Sequence, residues 1–131
     1  MNIEKEAEDF TANHSFHVPK PTWTHIALHC KDIDKMIDWY EEFTHFSLLF
    51  KEKDESGYGA WLGDKTQHDQ PFVLVLMQFF EGHDPFAPAT HHPLGPFAHI
   101  GIEMPNKAAV DAVAKRAGES NCLMLGPVKM P

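Results

Sequence analysis

Positive charge is what this chain has least of. Lys plus Arg number 11 against 19 Asp plus Glu, a formal net charge of −8 with histidine neutral. A protein that grips a phosphate backbone needs a basic face, so nucleic acid is excluded as an expected partner. Apolar residues make up 43% of the chain, yet no run approaches the roughly 20 residues of a membrane span. The opening Met1–Asp9 carries four acidic residues and one lysine, without the positive start and apolar stretch of a signal peptide. Cysteine is scarce too: Cys30 and Cys122 form no metal-type spacing and no disulfide framework. Both read as buried free thiols in a cytoplasmic protein.

What the chain does have is an internal repeat. Thr24-His25-Ile26-Ala27-Leu28 returns as Ala98-His99-Ile100-Gly101-Ile102, 74 residues later. The same offset carries Asp32 onto Asn106, Met36 onto Val110, Trp39 onto Val113 and Phe43 onto Ala117. Each copy reads as a strand, a turn with a capping residue and an amphipathic helix. The period exceeds that of a solenoid unit, so it marks a duplicated half-domain. It also sets one histidine at the same point of two equivalent strands, an arrangement from which a shared metal site can be built.

Residues 1–19 are polar and aperiodic, a tail leading into a single domain at 20–131. From Trp23 to Cys30 the side chains alternate, with Thr24, Ile26, Leu28 and Cys30 on the core face and His25, Ala27 and His29 on the other. Asp32 caps a helix whose Ile33, Met36, Ile37 and Tyr40 form one apolar stripe. Strands are expected at Phe46–Lys51, Tyr58–Leu62 and Phe72–Gln78, punctuated by Gly57 and Gly63-Asp64. Residues 20–80 thus form a βαβββ module, and 81–96, rich in proline, glycine and histidine, link it to a second. Strand Phe97–Glu103 opens that second module at 97–131. A helix follows from Pro105-Asn106 with Ala109, Val110, Val113, Ala114 and Ala117 on one side, ended by Gly118, and then a strand start at Cys122–Leu125. The offset projects a full second module to about position 154, so the second module is expected to be short of about two strands. The sheet edge this leaves favours pairing with another copy.

Paired βαβββ halves with a histidine in each opening strand resemble the vicinal oxygen chelate superfamily, which includes glyoxalase I, extradiol dioxygenases and bleomycin-resistance proteins. The motifs that carry the resemblance are Trp23-Thr24-His25-Ile26-Ala27-Leu28, the helix ending Asp38-Trp39-Tyr40, Gly95-Pro96-Phe97-Ala98-His99-Ile100 and Leu125-Gly126-Pro127. The fold it implies is α+β, paired βαβββ modules curving a mixed sheet into a cup, here with the second module incomplete. By position, His25 and His99 match the family's two opening-strand metal ligands. Glyoxalase I has a glutamate in the closing strand of the first half, where this chain has Val75. Other members use two histidines and one glutamate from the final strand.

The resemblance implies a glyoxalase-like metal-dependent enzyme, of lyase, isomerase or dioxygenase type, acting on a small molecule with vicinal oxygens. A divalent ion (Fe, Mn, Ni, Zn or Co) would act there as a Lewis acid. The alternative is a metal-free binding protein of the bleomycin-resistance type, or an inactive fragment. A homodimer is expected. His29 and Glu103 read as neighbours of the site rather than ligands, His91-His92 as a solvated loop pair, and Phe79, Phe80 and Phe86 as wall or rim.

Overall fold

Alternation decides how the first strand sits. In the computed structural model, which describes residues 22–69, 71–88 and 97–129, β1 spans His25–His29. Ile26 and Leu28 turn toward the core, while His25, Ala27 and His29 are exposed. The strand is shorter at both ends than the alternation suggested. Cys30 has left it but still donates its N–H to the Met77 carbonyl at 2.9 Å, and its side chain is buried.

Helix α1 spans Ile33–Phe43. The Asp32 carboxylate accepts from Lys35 N–H at 3.1 Å, and Gln78 Oε1 accepts from Ile33 N–H at 2.9 Å, so two donors left open by the first turn are satisfied. At the far end the hydroxyl and N–H of Thr44 both donate to the Tyr40 carbonyl. The expected stripe is the buried one: Ile33 and Ile37 are 2% and 5% exposed, with Met36 and Tyr40 packed beside them.

Strands β2 (Ser47–Lys53), β3 (Gly57–Gly63) and β4 (Val73–Phe79) follow, close to their expected places. The sheet order is β1-β4-β3-β2, with β1 parallel to β4 and the other pairs antiparallel. A parallel pair requires a long crossover, which α1, β2 and β3 together provide. Leu62, Leu74 and Leu76 are 0–2% exposed beneath α1, each burial stabilising by roughly 1.5–3 kcal/mol. The β2–β3 turn is held by Asp54, whose Oδ1 accepts from Ser56 N–H and hydroxyl and from Gly57 N–H. Gly57 is required there, because a Cβ would stand 2.0 Å from the Gln78 carbonyl oxygen.

The second half departs from the repeat. Asn106 does cap α2 (Lys107–Glu119), accepting from Ala109 N–H at 2.9 Å just as Asp32 accepts from Lys35. Residues 97–103 and 122–125, however, are irregular rather than strands. A strand exists only through its neighbours, and none of the described strands pairs with either segment. Gly118 does not end α2 either. Asn121 takes the left-handed position (φ 57°), with its N–H on the Gly118 carbonyl and Cys122 N–H on that of Ala117. Gly118 lies inside the helix, with Leu123 close above it. Cys122 is exposed, against expectation, whereas Cys30 is buried. The 1–19 tail and His91-His92 fall outside the described residues, as does the second half of the 81–96 linker.

Leu76→Ala is expected to cost about 2–5 kcal/mol in urea denaturation, since the cavity opens at the centre of the sheet. The carboxyls of Asp54 and Asp64 are held below their ordinary 3.8 chiefly by hydrogen bonds from Ser56 and Thr66. Their contribution to stability is complete above that value and is lost as pH falls through the lower folded one. Stability should therefore decline below about pH 4, and the slope should flatten in the Asp54→Asn, Asp64→Asn double variant.

Candidate functional site

One face of the sheet is covered by α1; the other carries the first histidine of the repeat. The β1–β4 register sets His25 opposite Val73, Ala27 opposite Val75 and His29 opposite Met77, so all six share this open face. On β3 the residues facing the same way are Gly57, Gly59, Trp61 and Gly63. The glycines leave room for one large ring. A Cβ at Gly59 would lie 3.0 Å from the Trp61 indole, so the ring lies over the glycine. Phe50 of β2 meets Trp61 with ring centroids 5.3 Å apart.

The result is an open hollow lined by Thr24, His25, Ala27, Trp61, Pro71, Val73 and Val75. It contains no charged side chain. Its polar groups include the Thr24 hydroxyl and the exposed His25 imidazole, whose Nδ1 lies 2.9 Å from that hydroxyl. His99 is also exposed, and its Nδ1 lies 2.8 Å from the Phe97 carbonyl. A carbonyl only accepts, so Nδ1 of His99 carries the proton and Nε2 of the neutral ring is left with its lone pair. That is the state in which an imidazole binds a metal.

Residues that sequence reasoning placed near the site are dispersed. His29 stacks on Phe79 at 5.7 Å, and Phe79 meets Phe86 edge-on at 6.2 Å, forming a rim at the far end of β4. Phe80 packs instead against Tyr58. Glu103 lines a separate cavity bordered by α1. Among the described residues no group of three or more His, Cys, Asp or Glu side chains is placed to hold a metal ion. The hollow beside His25 does not include His99. Trp61, its largest wall, was missed in the sequence; the signal was a tryptophan in a run with glycine at alternate positions (Gly57-Tyr58-Gly59-Ala60-Trp61-Leu62-Gly63).

This βαβββ order, with the histidine of β1 on the face opposite the helix, can be set beside known families. The model of the Glyoxalase/Bleomycin resistance protein/Dioxygenase superfamily matches residues 22–129. The chain belongs to this superfamily. It is also 32% identical over 111 residues to uncharacterized protein PA2024 of Pseudomonas aeruginosa, across 85% of this chain and 74% of the relative. No solved structure matches the chain. The vicinal oxygen chelate domain has no helix, among the described residues, long and apolar enough to cross a membrane.

Gly59→Ala should make the Trp61 indole give by a few tenths of an ångström, at a cost of about 1 kcal/mol or less because the ring lies on an open face. Near-UV circular dichroism is expected to change while the far-UV spectrum stays as it is.

Proposed function

We propose that this vicinal oxygen chelate domain binds a small molecule on the open face of its sheet. The apolar body of the ligand lies against Trp61, Val73 and Val75, and one of its oxygens meets the His25 imidazole. The observation that carries this reading is the chemistry of β4: Val73, Val75, Met77 and Phe79, every residue it turns to that face, are apolar. A sequestering role of the bleomycin-resistance type needs no more than such a floor and one polar handle.

The tautomer of His99 favours a second reading, a metal-dependent enzyme of lyase, isomerase or dioxygenase type with His25 and His99 as ligands. Two imidazoles suit Fe, Mn, Ni, Zn or Co. The described residues supply no third donor to go with them, so the set is short of a facial triad. A second copy beside β1 belongs to the same proposal, because the outer edge of β1 pairs with none of the described strands.

Two titrations separate the readings. In the presence of chelator, catechol and phenylglyoxal should quench tryptophan emission, and His25→Ala should weaken the tighter of them by up to about tenfold, the loss of one hydrogen bond. Elemental mass spectrometry after incubation with Fe, Mn, Ni and Zn should find no stoichiometric metal. About one ion per chain, lost in the His25→Ala, His99→Ala double variant, would replace the binding reading with the enzyme one.

A further inference from the structure

The sheet face beneath α1 is not wholly filled by the helix. A cavity of about 490 Å³ lies there, floored by Leu28 and Leu74 and closed on one side by Ile100 to Glu103. Its floor residues alternate with those of the open face, so it is on the other side of the sheet from His25. The volume falls within the range that encloses a drug-sized molecule.

The walls are aromatic. Trp39 and Tyr40 come from α1, Phe46 from the start of β2 and Phe72 from the approach to β4. Trp39 meets Tyr40 edge-on at 5.0 Å and remains 41% exposed, so part of the indole is left open to a ligand. The formal charges at the rim are all negative. Asp64 and Glu103 line the cavity with His45, and no Lys or Arg does. Asp64 spends Oδ1 on the Thr66 N–H and hydroxyl, bonds that hold it ionised, and Oδ2 has no hydrogen bond from a described residue. Glu103 forms no ion pair with a described residue.

Aromatic faces attract a cation through their quadrupole, most strongly where water is partly excluded, and two carboxylates at the mouth add a long-range pull. An anion meets the reverse field. We propose that this cavity binds a small organic cation, an alkylated ammonium group carried on an apolar or aromatic body. The proposal rests on a different face from the open hollow and stands or falls without it.

The test is a nuclear magnetic resonance titration of the full chain at pH 8 and low salt. Three probes are compared: benzyltrimethylammonium, choline, and 3,3-dimethylbutan-1-ol, which matches choline in shape without the charge. Benzyltrimethylammonium should bind tightest and move the Trp39 indole signal rather than that of Trp61. Choline should bind about tenfold tighter than its neutral counterpart. The Asp64→Asn, Glu103→Gln double variant should lose most of that difference, and 0.5 M salt should reduce it, since Glu103 is exposed and Asp64 half-buried. Equal binding of choline and the alcohol, shifts at Trp61 in place of Trp39, or no binding by either ammonium probe would each overturn the proposal. The choline comparison is made on the unaltered protein, so it decides the matter even if the double variant folds poorly.

Discussion

The pairing of β4 on both its edges is the constraint on which the domain depends. It holds β1 by a parallel ladder and β3 by an antiparallel one, and its carbonyl at Met77 also catches Cys30 after β1 has ended. Leu74 and Leu76 supply the centre of the core. Gln78, in phase with them, reaches α1 and satisfies Ile33 N–H, tying the helix to the strand that the helix covers. Residues of opposite phase, Val73 and Val75, floor the hollow beside His25. Core, helix start and candidate site are thus three uses of one strand, and a slip of one residue in its register would exchange them.

What was legible in the sequence is what local chemistry decides. Caps at Asp32 and Asn106, the Ile33-Met36-Ile37-Tyr40 stripe and the alternation in β1 each need only a few neighbouring residues, and each is in place. The superfamily was legible as well, because its signature is the order of such elements. The segment around His99 marks the boundary of this kind of reading. It resembles the β1 sequence closely, yet one forms a strand and the other does not. The difference is not in the residues: β1 has Val73 to Met77 to pair with, and 97–103 has no partner among the described strands. Strand formation is a property of two segments, whereas a helix satisfies its own backbone.

The same asymmetry runs through the helices. α1 buries Ile33, Ile37 and Phe43, while α2, with the corresponding spacing, buries none of its residues. Val113, Ala114 and Ala117 instead border a groove shared with Leu123 and Leu125, and α2 is tied to α1 through Arg116, which donates to the Glu42 carbonyl at 2.8 Å and lies over Phe43. A helix of 13 residues is marginal on propensity alone, so α2 relies on this groove and on Arg116 where α1 has a sheet beneath it. The left-handed Asn121 was equally invisible, since Gly118 is the better residue by preference and lies three positions earlier.

The bulge in β2 shows how firmly the two faces of the sheet are kept apart. Leu48 pairs with Leu62 toward the helix, and without interruption Phe50 would face the same way. The extra residue, Leu49, lets both Leu49 and Phe50 turn to the open face, where Phe50 reaches Trp61. It also returns Lys51 to the helix side, where its ammonium meets Asp34 on α1 at 2.6 Å. Two large apolar groups, 42% and 55% exposed, are thereby added to a face already carrying Trp61, Val73 and Val75. Folding alone gives no reason to move apolar area away from the helix and toward water. The binding proposed for this face does give one, and the hollow beside His25 lies on it.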